Sequence, residues 1–290
     1  SALCAGCGGL ETLRLAAKVR GDDVVYVNAA GCFTMLAAYP YTSFKGSWLY
    51  TTMGPAPAGA QGVRDALDVL IAKGRLPKSE NLKVVVLGGD GSTYDMALSS
   101  TSGAMNRGLD FYYICYDNEA YGNTGMQLSP ATPYGARTAT SPCSLQHPSG
   151  ASQEKKDIFE IWRAHKPPYI ATVAPRYPLD LEEKFARAAA FTGPKMFLAL
   201  AACPTGWLYD PGETPEVARL AVETGLWALK EAINGVVTHT YVPKRKPVEA
   251  YLKLQGRFRH LFEPTVQTEA IQHIQARVDA YWERATREGS

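Results

Sequence analysis

Four of the six cysteines stand where thiolates could share a metal centre. Cys4 and Cys7 form a C-x-x-C pair, Cys32 follows Gly31, and Cys203 heads Cys203-Pro204-Thr205-Gly206-Trp207. Iron–sulfur clusters are held by cysteine thiolates of this kind. Zinc also takes four cysteines, usually from two C-x-x-C pairs, and only one pair is present here. Between these cysteines lies a second constellation. Gly89-Asp90-Gly91 follows the apolar run Val84-Val85-Val86-Leu87, and Asn118 comes just after the next apolar run. Mg²⁺ takes six oxygens in near-octahedral array, one or two commonly from protein and the rest from phosphate and water. Asp90 brings charge, while the Asn118 side chain and the Ala120 backbone carbonyl bring neutral oxygens. Gly89 and Gly91 let the backbone approach a phosphate. The bland alternative is a Gly-rich strand-to-helix turn that binds no metal. Cys115 lies in an apolar run and is expected to pack in the core; Cys143 is given no role.

These residues need elements to position them. Short β-branched or aromatic runs at 24–28, 83–88, 111–116, 169–173, 196–201 and 236–242 read as strands. Helical patterns fall between and around them at 10–19, 58–73, 94–106, 155–165, 179–191 and 215–233. Such alternation predicts an α/β fold: a mostly parallel, doubly wound sheet of about six strands with helices on both faces. Ligands of open α/β sheets sit beyond the carboxyl ends of the strands, where Cys32, Asp90, Asn118 and Cys203 all fall. Two long loops, 38–57 and 117–153, are rich in Gly, Pro, Ser, Thr and Tyr and are expected to serve the site. Residues 1–245 are expected to form one α/β domain. Residues 246–290 are expected to form a helical extension, with a polar helix near 268–284, packing on that domain or on a partner chain.

Composition narrows the classes. Hydrophobic residues make up 46% of the chain, enough for a large core, and a net charge of +2 gives no nucleic-acid footprint. No run approaches about 18 apolar residues, so no membrane span is expected. Six cysteines are too sparse for a disulfide scaffold. No signal peptide is read at the start, so a reducing cytoplasm is expected.

Taken in order, several motifs resemble one family. They are Cys4-Ala5-Gly6-Cys7-Gly8, Ala30-Gly31-Cys32, Gly89-Asp90-Gly91, Asn118-Glu119-Ala120-Tyr121-Gly122-Asn123-Thr124-Gly125, Ala131-Thr132-Pro133, Cys203-Pro204-Thr205-Gly206-Trp207 and Tyr251-Leu252-Lys253-Leu254-Gln255-Gly256-Arg257-Phe258. The chain resembles the thiamine-diphosphate-binding β subunit of 2-oxoacid:ferredoxin oxidoreductases, most closely the pyruvate type. The resemblance implies the thiamine-diphosphate-binding fold with thiamine diphosphate, Mg²⁺ and one 4Fe–4S cluster. Cys4, Cys7, Cys32 and Cys203 would hold the cluster; Asp90, Asn118 and the Ala120 carbonyl would hold Mg²⁺. Gly31, Cys32, Gly89 and Gly91 would help form the cofactor pocket. Asn123, near the reacting carbon, and Thr124, near phosphate or substrate, would be its catalytic residues.

The implied reaction is oxidative decarboxylation of a small 2-oxoacid, pyruvate first. Electrons would pass singly through the cluster to ferredoxin, and the acyl group to CoA. Oxalate or a branched-chain 2-oxoacid is the alternative within the family, and a non-redox thiamine-dependent decarboxylase the alternative outside it. The implied partners are an α subunit supplying the catalytic glutamate and substrate contacts, and γ and ferredoxin-like δ subunits or domains. No glutamate of this chain is therefore nominated. Phe33 replaces the small residue of many relatives and is expected to narrow the substrate pocket; Met126 is a second departure. Asn123 replaces the Met usual in relatives that use 2-oxoglutarate, which favours a small substrate.

Overall fold

A computed structural model describes residues 2–38, 40, 42–78, 82–144 and 148–288. Parts of both long loops, at 39, 41 and 145–147, lie outside the described residues. Eight strands form one sheet: β1 Val24–Ala29, β2 Ser47–Thr51, β3 Lys83–Gly89, β4 Phe111–Asp117, β5 Tyr169–Val173, β6 Pro194–Leu200, β7 Leu229–Ile233 and β8 Val236–Tyr241. Their order is β2-β1-β3-β4-β6-β5-β7-β8, parallel from β2 through β5, with β7 and β8 antiparallel. Every residue of the central strands β4 and β6 is buried, because helices cover both faces and leave neither to water.

The helices are α1 Gly8–Arg20, α2 Ala56–Ala72, α3 Leu98–Asn106, α4 Ile158–Ala164, α5 Pro178–Ala188, α6 Pro204–Trp207, α7 Thr214–Glu223, α8 Glu249–Leu252 and α9 Thr268–Glu288. On one face, Leu13 and Ala16 of α1 and Leu181 and Phe185 of α5 pack on Tyr112, Ile114 and Phe197. The Phe185 and Phe197 rings stack with centroids 3.9 Å apart. On the other face, Ala60, Met105, Trp162 and Val217 cover Tyr113, Cys115 and Met196. Ile271, Ile274, Val278 and Trp282 of α9 belong to that same core. Trp282 also donates its indole N–H to Gly225 O at 3.0 Å.

The sheet exceeds the expected six strands by two. β2 arises inside a segment read as loop; it is a short edge strand, half exposed, so its apolar signal is weak. β7 occupies the end of the segment predicted as helix 215–233. That helix stops at Glu223, and Gly225, at φ 83°, turns the chain back. Asn234 and Gly235, at φ 50° and 86°, then join β7 to β8 in the Asn-Gly hairpin that such a dipeptide favours. The helix expected from residue 94 opens instead with a π-helical turn, Ser92–Met96, before α3.

Register sets the site. Asn28 of β1 stands beside Leu87 of β3, Gly89 beside Tyr116 of β4, and Tyr116 beside Ala199 of β6. Cys32, Asp90, Asn118 and Cys203 therefore leave the sheet at one edge.

Candidate active site

Beyond that edge lies a cavity of about 90 Å³. Gly31, Cys32, Gly89, Asp90, Gly91, Asn118, Ala120, Asn123 and Thr124 all line it, with Ala30, Met53, Tyr116, Tyr121 and Gly122 completing the wall. All nine residues expected to touch the cofactor thus share one space. Two glycines keep it open. A Cβ on Gly91 would stand 2.2 Å from Tyr121, and one on Gly122 would stand 2.6 Å from Asn118 Nδ2 and 3.5 Å from Cys32 Sγ. A larger cavity, about 420 Å³, lies beside Lys155, Trp227 and α9 and contains none of the nine.

Asp90 is fully buried. Its Oδ2 accepts from Ser129 Oγ at 2.5 Å, and its Oδ1 faces one end of the Asn118 amide at 2.7 Å. That same amide end lies 2.8 Å from the Ala120 carbonyl oxygen. With nitrogen there, the amide satisfies both acceptors. With oxygen there, three oxygens converge on one point. Octahedral Mg²⁺, about 2.0 Å from each ligand, separates neighbouring oxygens by about 2.9 Å, and the separations of the Asn118 amide end from Asp90 and from Ala120 match that spacing. Charge agrees with geometry. Burial, then the neighbouring Asp117 carboxylate, push the Asp90 carboxyl well above the usual range, while Ser129 and Lys155 pull it down. A buried carboxylate with neutral hydrogen-bond partners is costly until a cation joins it.

The segments that carry the four framing cysteines meet beside this edge, with only Cys32 lining the cavity. Gly8 N donates to Ala202 O at 3.1 Å, which pins the Cys4/Cys7 segment to the strand end that carries Cys203. Thr205 Oγ1 donates to Cys4 Sγ at 3.6 Å, and Gly206 N donates to Cys203 Sγ at 3.4 Å. Asn118 Nδ2 lies 4.0 Å from Cys32 Sγ. Burial and then the thiols of Cys203, Cys7 and Cys4 push Cys32 up to about 12. Burial likewise pushes Cys203 up to about 11, with Cys7 and Cys4 adding to it. Sulfurs that penalise one another's ionisation lie within one electrostatic neighbourhood. Among the described residues, no three Cys, His, Asp or Glu side chains are close enough together to hold one metal ion. Cys115 is buried in β4, and Cys143 is exposed.

Sequence reasoning missed the residues behind the cavity. Lys155 Nζ pairs with Asp117 Oδ2 at 2.7 Å and Glu119 Oε1 at 2.9 Å, and Arg257 Nη2 holds Glu119 Oε2 at 2.7 Å. Tyr94 donates its hydroxyl to Asp117 Oδ2 at 2.6 Å. Ser129, on Asp90, was missed as well. The expectation for Phe33 is corrected: it does not line the cavity but is buried against Tyr116, ring centroids 3.9 Å apart. Met126 packs against Gly206, where a Cβ would meet its Sδ at 2.3 Å.

Glu119 makes this network testable. Burial pushes its carboxyl up, but Lys155 and Arg257 together outweigh burial and hold it below the usual range. A carboxyl lowered by folding stabilises above its unfolded pKa of about 4.3 and loses that contribution as pH falls through the folded value. Glu119→Gln should therefore lower stability by about 3–5 kcal/mol at pH 7, the cost of breaking a buried pair from one side. The deficit should shrink below about pH 4. Denaturant melts at both pH values measure it, and an equal deficit at both would contradict the ion-pair account.

Comparison with known proteins agrees with this geometry. Residues 29–198 match the family model "Thiamine pyrophosphate enzyme, C-terminal TPP binding domain". The chain is 44% identical over 278 residues to pyruvate synthase subunit PorB of Methanocaldococcus jannaschii, covering 95% of this chain and 91% of that one. Identity to the PorB subunit of Pyrococcus furiosus is 38%, covering 97% and 90%. Ketoisovalerate oxidoreductase subunit VorB of Pyrococcus abyssi is also 38% identical, covering 97% and 89%. A solved 2-oxoglutarate:ferredoxin oxidoreductase of Magnetococcus marinus shares the fold, with TM-score 0.55 and 20% identity over 74% of this chain and 76% of that one. The mostly parallel sheet, the glycine-walled cavity at its carboxyl edge and these likenesses over most of both chains lead to one conclusion: the chain belongs to the 2-oxoacid:ferredoxin oxidoreductase family, as its thiamine-pyrophosphate-binding subunit.

Proposed function

We propose that this subunit carries the reaction centre for oxidative decarboxylation of a small 2-oxoacid, pyruvate first, with electrons passing to ferredoxin and the acyl group to CoA. The observation that carries the reading is the shared cavity edge: Cys32 and Asn118 line the cofactor cavity and lie 4.0 Å apart, Sγ to Nδ2. Asp90, Asn118 and the Ala120 carbonyl would hold Mg²⁺ and through it the diphosphate. Cys4, Cys7, Cys32 and Cys203 would hold one 4Fe–4S cluster. When bound, thiamine diphosphate supplies a carbon nucleophile for the keto group and a sink for the electron pair that carbon dioxide leaves behind, and the cluster accepts electrons singly.

The chain's own residues do the positioning. Gly89, Gly91 and Gly122 admit the diphosphate without steric conflict. Asn123 and Thr124, on the cavity wall, would orient the reacting groups. Ser129 fixes the Asp90 carboxylate from behind. A partner α subunit would add the catalytic glutamate and substrate contacts, and γ and δ subunits or domains the electron exit.

Pyruvate is favoured because the PorB relatives reach 46% identity. A branched-chain 2-oxoacid is the second reading, since the VorB relative equals the Pyrococcus PorB in identity at 38%. Ferredoxin reduction by the anaerobically purified assembly, against a panel of 2-oxoacids, decides. Pyruvate should give the highest kcat/KM, dependent on thiamine diphosphate and CoA. Turnover confined to branched substrates would favour the second reading, and no ferredoxin reduction with any 2-oxoacid would overturn both.

A further inference from the structure

The candidate centre is built on two loops, one carrying Asn118 and Ala120, the other carrying Cys203. A single side chain from a third segment touches both. Arg257 is 3% exposed, and its Nη2 donates to Glu119 Oε2 at 2.7 Å. The same guanidinium sits over a ring of the other loop, its central carbon 3.9 Å from the centroid of Trp207. Trp207, three residues beyond Pro204 in α6, donates its indole N–H to the Asn118 carbonyl at 2.9 Å. A closed triangle results: guanidinium to carboxylate, guanidinium to indole, indole to backbone.

The turn that is clamped needs a clamp. Glu119 sits at φ 61°, a left-handed conformation that costs a glutamate on the order of 1–3 kcal/mol. It lies between Asn118 and Ala120, so its conformation sets where their two oxygens point. Arg257 is itself fixed: its Nε donates to Gln255 Oε1 at 2.8 Å, and the adjacent Gly256 N donates to Leu208 O at 3.0 Å.

We propose that Arg257 is a positioning residue that locks the Asn118-Glu119-Ala120 turn to the Cys203 loop and sets a buried positive charge beside that loop. The inference rests on the cofactor assignment proposed above. A guanidinium is essential to it, because an ammonium cannot cover an indole and also reach Glu119 and Gln255 through two separately directed nitrogens. If Arg257 merely neutralised a buried acid, lysine would serve and only stability would change.

The test compares the wild-type assembly, purified anaerobically, with Arg257→Lys, Arg257→Gln and Trp207→Phe. Three quantities are read: thiamine diphosphate affinity in saturating Mg²⁺, the cluster's midpoint potential by EPR-monitored titration, and the thermal midpoint. Arg257→Lys should bind thiamine diphosphate about tenfold more weakly with its potential unchanged, since geometry is lost and charge kept. Arg257→Gln should show both the weaker binding and a more negative potential. Trp207→Phe keeps a ring under the guanidinium but loses the N–H, so affinity should fall while potential stays. Where Arg257→Gln fails to assemble, the other two variants decide. Wild-type affinity in Arg257→Lys and Trp207→Phe, or a wild-type potential in Arg257→Gln, overturns the inference even if stability drops. A wild-type assembly lacking the cluster signal or thiamine diphosphate affinity overturns the cofactor assignment and this inference with it.

Discussion

Asp90→Ala is expected to weaken Mg²⁺-dependent binding of thiamine diphosphate by at least about a hundredfold while leaving the metal-free chain no less stable. The first half follows from charge. Asp90 is the sole anion among the three proposed ligands, and the amide of Asn118 and the carbonyl of Ala120 cannot hold a divalent cation from water without it. The second half follows from its surroundings. Burial raises the Asp90 carboxyl well above the usual range. A carboxyl raised by folding opposes folding once pH passes its unfolded value of about 3.9, and that penalty grows until the folded value is reached. At pH 7, and without a cation, Asp90 therefore weakens the fold. Removing it relieves that penalty at the expense of a hydrogen bond from Ser129. Mg²⁺ with thiamine diphosphate should raise the thermal midpoint of the wild type and leave Asp90→Ala unmoved. Calorimetric titration supplies the affinities. Equal affinity in both proteins would remove Asp90 from the metal site.

Cys203→Ser is expected to separate bond breaking from electron output. Cys203 does not line the thiamine cavity, so the variant should keep thiamine diphosphate affinity and release carbon dioxide from the 2-oxoacid. Ferredoxin reduction should fall to background, because serine offers a poor replacement for a cluster thiolate. Iron and sulfide content should fall together with it. Cys143→Ser is the control: exposed and outside both constellations, it should change nothing. Full ferredoxin reduction by Cys203→Ser would mean that the cluster ligands have been misassigned.

Legibility in the sequence followed chemistry rather than length. The central strands were readable because burial on both faces demands unbroken apolar runs, such as 84–87 before Asp90. Edge strand β2 was not, since none of its residues is fully buried and it lies in a Gly- and Ser-rich stretch. β7 was overrun by the helical periodicity of α7, although Gly225 and the Asn234-Gly235 pair carried a stop and a hairpin signal. The cavity wall was legible because glycine, cysteine, aspartate and asparagine each do something few other residues can. The supporting charges were not. Lys155 and Arg257 stand 36 and 138 residues from Glu119, and lysines and arginines are usually solvated, so nothing local marks these two as partners of a buried acid. Phe33 was misjudged for a related reason: its neighbour Cys32 faces the cavity, while its own ring turns inward onto Tyr116.

In the proposed function, one sheet edge would join a magnesium-anchored coenzyme to an electron acceptor held by Cys4, Cys7, Cys32 and Cys203. Freeze-quench EPR of the anaerobic assembly, mixed with a 2-oxoacid in the presence and absence of thiamine diphosphate, tests this most directly. With the wild type, a reduced-cluster signal should rise only when thiamine diphosphate and Mg²⁺ are both present, and Cys203→Ser should lack it. A signal that rises equally without the coenzyme, or one that persists in Cys203→Ser, would contradict the account.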